Sequence, residues 1–144
     1  MFKKDRHVQG FTLLELLLVL AILAGTSFIL MIKLPLYTQS QSLRITSTQL
    51  LTELRDARQA AMSENTWYQI KFYYEPKYYQ ILRQGVLVRQ IELEKGIVFS
   101  NKPPDLRFYP TGIPDQGLTI NLKTVAGEQK NVIVAPVTGR IREE

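Results

Sequence analysis

The sequence predicts an α+β fold: one long N-terminal helix packed on a small, mainly antiparallel C-terminal β-sheet. Three observations predict it. Residues 11–36 are apolar almost without interruption, residues 37–65 repeat apolar side chains along one helical stripe, and residues 66–144 break into short alternating segments separated by turn residues. A chain of 144 residues leaves room for one small domain.

The first ten residues, MFKKDRHVQG, form a basic head in which Lys3, Lys4 and Arg6 outweigh Asp5. The 26 residues from Phe11 to Leu36 carry only two charges, Glu15 and Lys33. About 20 apolar residues span a bilayer as a helix. The preceding cations would stay cytoplasmic and send the remainder outward. The run is long for a secretory signal and no small-x-small site closes it. A plain membrane anchor explains length and charge but not Glu15. A carboxylate in a spanning helix costs about 2.5–3.5 kcal/mol at the centre and less near the end. Either Glu15 lies close enough to the interface to stay wet, or it has an assigned cationic partner.

Beyond Pro35 the pattern changes. Leu43, Leu50, Leu54, Ala57 and Ala61 recur on one helical face. Arg44, Arg55, Arg58 and Gln59 fall elsewhere, and Glu53 and Arg55–Asp56 read as ordinary solvated charges. Ser63-Glu64-Asn65-Thr66 reads as a helix end. The helix would run from about residue 11 to about residue 64, roughly 80 Å. Its first half wants lipid or other helices, and its second half wants a sheet to cover.

Residues 66–144 supply that sheet. Tyr68, Ile70, Phe72 and Tyr74 alternate before the turn Glu75-Pro76-Lys77, and Tyr79, Ile81 and Arg83 follow. Gln84-Gly85 is a hairpin turn into Val86–Leu93. Ile97–Ser100 and Leu106–Tyr109 are further strand candidates, separated by a loop holding Pro103-Pro104. Residues 110–117 form a turn-rich loop. Leu118, Ile120 and Leu122 alternate, Ala126-Gly127-Glu128 turns into Val132 and Val134, and Val137–Arg142 closes the chain. Hairpin-like connections make the sheet mainly antiparallel.

No catalytic constellation emerges, so the chain reads as no enzyme, with no cofactor and no metal. There is no Cys, and His7 is the only His. That excludes a disulfide scaffold, a Cys-based zinc site and a thiol nucleophile. The glycines are isolated turn glycines rather than a phosphate-binding loop. Glu92 and Glu94 lie beside Lys95 and read as a solvated edge. Asp105 and Asp115 lack an oxygen-rich ligand spacing. The aromatic group Trp67, Tyr68, Tyr73, Tyr74, Tyr78 and Tyr79 reads either as sheet packing or as a stacking surface for nucleobases or a neighbouring subunit. At the carboxy end, Arg140 and Arg142 share a face if the segment is extended. Lys123 and Lys130 flank the preceding turn and would add to that surface. Such a patch attracts phosphates in a salt-dependent way. The alternative is a frayed tail partly neutralised by Glu143 and Glu144.

Gly10-Phe11-Thr12-Leu13-Leu14-Glu15, behind a basic head and opening an apolar run, resembles the type IV pilin signature. The resemblance implies a pilin fold and a division into a leader at 1–10, a transmembrane and assembly helix at 11–36, an amphipathic helix at 37–65 and a β-rich domain at 66–144. It implies cleavage between Gly10 and Phe11 by a prepilin peptidase and N-methylation of Phe11. It also implies an assembly role for Glu15, neutralising the terminal amine of a neighbouring subunit. A buried opposite-charge pair offsets desolvation only with close geometry, so such a pair selects one register. Many family members have a proline about 22 residues after the cut; here Pro35 lies 25 residues after it. Gly139-Arg140-Ile141-Arg142 further resembles the closing Gly-Arg-x-Arg of H-type minor pilins implicated in DNA uptake, which implies DNA contact by Arg140 and Arg142. The implied partners are the peptidase, other pilin subunits, the membrane and DNA. The implied location is a single-pass membrane precursor, cytoplasmic at its N-terminus, and then a surface or periplasmic filament. Loss of residues 1–10 removes three positive charges and one negative, taking the formal net charge from +5 to +3. Local placement of charge must therefore carry any DNA contact. Two alternatives stand beside DNA uptake: an H-type minor pseudopilin of type II secretion, and a membrane-tethered binding module that never polymerises.

Overall fold

One helix precedes eight strands in the computed structural model, which describes residues 12–144, side chains at 26–37 excepted. The helix, α1, spans Leu13–Ser63. Thr12 caps it: the Glu15 amide donates to Thr12 Oγ1 at 3.2 Å, and Leu16 makes the first helical bond to the Thr12 carbonyl. Thr-Leu-Leu-Glu thus carries the Thr-x-x-Glu spacing of a capping box. At the other end Asn65 takes a left-handed φ of 49°. The Thr66 amide reaches back to the Ala61 carbonyl at 3.1 Å, a Schellman closure in which Asn replaces the usual glycine.

Contacts divide the chain into two units, residues 1–36 and residues 37–144. In the first, the side chains at 12–25 are all exposed, Leu13 at 78% and Leu17 at 57%. Among the described residues no helix is long and apolar enough to cross a membrane. The span expected at 11–36 lies partly outside the described residues; the backbone at Pro35 is within α1.

The second unit holds the core. Leu43, Leu50, Leu54, Ala57 and Ala61, the expected stripe, are all buried. They join the inward-facing residues of β1 (Tyr68–Tyr73), β2 (Tyr78–Arg83), β4 (Ile97–Phe99), β5 (Leu106–Phe108), β6 (Leu118–Thr124), β7 (Gln129–Val134) and β8 (Ile141–Glu143) in one apolar cluster. β3 (Val86–Glu92) adds Ile91. The antiparallel α+β class holds, but the strands form two four-stranded sheets rather than one, in the orders β3-β2-β1-β5 and β4-β6-β7-β8. The connections from β3 to β4, β4 to β5 and β5 to β6 are not hairpins. β4 pairs with β6, while β5 returns to the edge of the first sheet beside β1.

Local turn chemistry explains the hairpins that do form. Gln84 and Gly85 both take positive φ, 49° and 83°, the combination a two-residue type I′ hairpin needs. Opposite Ile81 and Leu82 the register slips, so that Arg89 faces Ile81 and Leu87 faces Leu82. Val88 is the extra residue of a β-bulge on this edge strand. The closing strand is shorter and later than the expected Val137–Arg142. Pro136, which cannot donate to a ladder, and Gly139, at φ 62°, hold residues 135–140 in a turn.

The aromatic group packs within and beside the sheets. Tyr73 and Tyr78 stack across β1 and β2 with centroids 4.5 Å apart. Tyr74 meets Phe99 edge-on, and its hydroxyl donates to the Pro103 carbonyl at 2.8 Å. Tyr68 donates to Glu64. Burial pushes the phenols of Tyr68, Tyr74 and Tyr79 up, reinforced by Glu64, Asp105 and Glu53 respectively.

Candidate nucleic-acid interface

The second sheet sets the geometry of the carboxy-terminal arginines. In register, Thr119 of β6 faces Ile133 of β7, and Ile133 faces Arg142 of β8. These residues lie on the outer face of the sheet, since Ile120, Val132, Val134 and Ile141 are buried on the other. Arg140 precedes β8 by one residue and also points outward. Arg140 and Arg142 are both exposed, with buried Ile141 between them. Both line one shallow groove, whose walls are Gly117, Leu118, Thr119, Ile133, Val134, Ala135 and Pro136.

The two cations differ. Arg142 makes an exposed ion pair with Glu144 at 3.0 Å, an interaction of little energetic weight. Arg140 makes no ion pair among the described residues. It stands where the first groove meets a second, lined by Arg55, Asp56, Arg58, Gln59, Met62, Thr138 and Ile141.

The two lysines do not join the pair. Lys123 is on the outer face, but its partner in register is Gln129, at the far end of β6 from Thr119. Four residues of strand separate them, about 13 Å. Lys130 alternates with Val132 and Val134 and so lies on the core side, where it pairs with Glu143. The Ser47 hydroxyl of α1, itself fully buried, donates to the same carboxylate at 3.0 Å. Burial pushes the Glu143 carboxyl up, but the hydrogen bonds from Lys130 and Ser47 and the charges of Lys130 and Arg44 outweigh it. The net pKa falls below the ordinary value. Lys130 is therefore a core-side partner rather than part of an external cationic surface.

Charges that read as solvated in the sequence are engaged. Glu53 pairs with Arg89 of β3 at 2.7 Å. Arg55 donates to the Ile141 carbonyl at 3.1 Å. Arg58 bridges two loops: Nε to the Gly112 carbonyl at 2.9 Å and Nη2 to the Thr138 carbonyl at 3.0 Å. Nothing in helical periodicity marks these arginines, because their partners are backbone carbonyls far along the chain.

Of the other expected positions, Gly10 and Phe11 lie outside the described residues. Glu15 sits exposed in the first turn of α1, where the helix dipole favours a negative charge. Glu92 closes β3, and Glu94 lies beyond the strand. Asp105 accepts from Gln69 Nε2, and Asp115 accepts from the Arg107 amide. No cluster of His, Cys, Asp or Glu among the described residues is arranged to hold a metal ion.

Comparisons with known proteins bear on the N-terminus and the fold. Residues 5–24 match the prokaryotic N-terminal methylation motif. Among curated protein sequences, none matches this one. The fold is similar to that of the minor pseudopilin EpsH from the type 2 secretion system of Vibrio cholerae, at TM-score 0.61 and 13% identity, covering 72% of this chain and 96% of that one. It is equally similar to the type IV minor pilin FimU of Pseudomonas aeruginosa, at TM-score 0.61 and 18% identity, covering 75% and 92%. A second crystal form of FimU gives 0.57 at 19% identity, covering 71% and 92%. The chain is type IV pilin-like in both its N-terminal motif and its fold.

Proposed function

We propose that this chain is a minor pilin-like subunit of a DNA-uptake filament. In this reading a prepilin peptidase cuts between Gly10 and Phe11, and Phe11 is then N-methylated. The precursor is a single-pass membrane protein with its N-terminus cytoplasmic. Assembly buries the apolar first part of α1 among neighbouring helices, and Glu15 meets the α-amino group of an adjacent subunit. The methylation motif and the minor-pilin fold support processing and assembly. So does the apolar surface at 13–23, since soluble monomers seldom leave so large a contiguous apolar patch uncovered.

One observation carries the choice of DNA: Arg140 and Arg142 share an outward-facing groove, and Arg140 has no acidic partner among the described residues. The groove sets two cations among mainly apolar residues, suited to a phosphate backbone rather than to base edges. The test is a salt titration of duplex binding by the full chain in detergent. The double variant Arg140→Ala, Arg142→Ala should lose affinity and flatten the slope of log K against log salt by about 2, the value for two neutralised phosphates. Binding unchanged at low salt would remove DNA from the reading.

A second reading is favoured by the equal likeness to the Vibrio cholerae protein: a minor pseudopilin of a type II secretion filament. It shares the cleavage and the Glu15 chemistry and requires no DNA affinity. A tether that never polymerises would instead tolerate loss of Glu15.

A further inference from the structure

The turn that carries Arg140 is not held by its own strand alone. Within it, the Gly139 amide donates to the Ala135 carbonyl at 3.0 Å and the Ala135 amide to the Arg140 carbonyl at 2.9 Å. Above it stands α1. The Arg58 guanidinium spans two loops, reaching Gly112 on one side and Thr138 on the other. Arg55, one helical turn earlier, holds the Ile141 carbonyl, between the two outward arginines. Gly139 fits beneath this bridge only because it lacks a side chain. A Cβ there would collide with the Gly112 carbonyl oxygen and lie 2.9 Å from Arg58 Nε.

We propose that Arg58, seconded by Arg55, is a positioning residue: it clamps the Gly139–Arg142 segment to the helix and so presents Arg140 and Arg142 as a preformed phosphate-binding pair. This rests on the DNA reading above for its consequence, though not for the clamp itself. Free arginine side chains on a frayed tail would lose backbone freedom on binding, and a tail already fixed avoids that cost. The planar fork of Arg58 is what the bridge requires. Two carbonyls on separate loops accept from two differently directed N–H groups of one rigid group, a geometry that a single ammonium does not reproduce. Because Arg58 spends these donors on carbonyls, it is not itself a phosphate ligand in this arrangement.

The experiment compares the full chain in detergent with Arg58→Lys and Arg58→Gln, using a fluorescent DNA duplex titrated across salt and backbone amide exchange read by mass spectrometry. Arg58→Lys keeps the charge and loses the fork. It should weaken duplex binding roughly fivefold, about one hydrogen bond's worth, and as much as Arg58→Gln does. The salt slope should be unchanged in both. Exchange should accelerate in the peptide covering 135–142 and stay at the wild-type rate in the β6 peptide covering 118–124. Affinity retained by Arg58→Lys, or a slope reduced by about one in Arg58→Gln, would make Arg58 a direct phosphate contact and overturn the proposal. Unchanged exchange in 135–142 would overturn the clamp. If the Arg140→Ala, Arg142→Ala variant binds duplex as the wild type does, the DNA reading fails, and with it the presentation of a phosphate-binding pair. The exchange data then report on the clamp separately.

Discussion

The two ends of α1 have the same secondary structure and opposite surroundings. Between Leu13 and Leu23 the large apolar side chains are exposed, whereas between Leu43 and Ala61 the stripe is buried to 3% or less. Both stretches are helical, so helicity is not what separates them. The later stretch finds two sheets within its own unit, and the earlier one carries exposed apolar side chains among the described residues. Helical stability in proteins comes mostly from such packing. The comparison teaches that the later stretch specifies the fold of the monomer, and that the earlier one is built for company outside it.

The largest effect on the folded unit should come from the buried stripe. Leu54→Ala should cost about 2–5 kcal/mol in a denaturant titration, the range for emptying a packed leucine site. Leu17→Ala, on the exposed stretch, should leave the midpoint where it was. Equal losses would dissolve the contrast. Next comes Gly139→Ala, where a left-handed φ and a collision with the Gly112 carbonyl combine. It should cost about 1–3 kcal/mol, read by the same titration.

A smaller term concerns pH. The Glu143 pKa is lowered in the folded chain, so its contribution is fully present above the ordinary glutamate value of 4.5. It is lost as pH falls through the depressed folded value. Between neutral and acid pH, wild type should therefore lose more stability than Glu143→Gln, by under about 1 kcal/mol, measured by parallel urea curves. At the end of the scale stands Glu15→Ala, with no change in the unfolding of residues 37–144 and, on the proposed function, removal of residues 1–10 as in the wild type, read by mass spectrometry. On the proposed function the same variant should be absent from purified filaments. Its presence there would favour a tether.

How much of this was legible in the sequence depends on the range of the interaction. Leu43, Leu50, Leu54, Ala57 and Ala61 declare themselves by period alone, and Gln84-Gly85 declares its hairpin, because both signals are local. The split into two sheets is not local. It depends on β5 passing back to β1 while β4 waits for β6, and no residue between Ile97 and Phe108 announces that choice. The candidate site shows the same boundary. Arg140 and Arg142 are readable by their spacing of two. The residues beneath them are not, because Arg58 meets carbonyls 54 and 80 positions away. Lys130 meets a related limit: nearness to a turn in sequence says nothing about the face of a strand, and alternation with Val132 and Val134 puts it inward.

The bulge at Val88 bears on how this protein behaves in bulk. Val86, Leu87 and Val88 form an exposed apolar tract on the outermost strand of a sheet, the kind of edge along which foreign chains zip up. The extra residue bends and twists the strand, so its free amides and carbonyls no longer form a straight row. Deleting Val88 would straighten that row and turn a guarded flank into a template for aggregation.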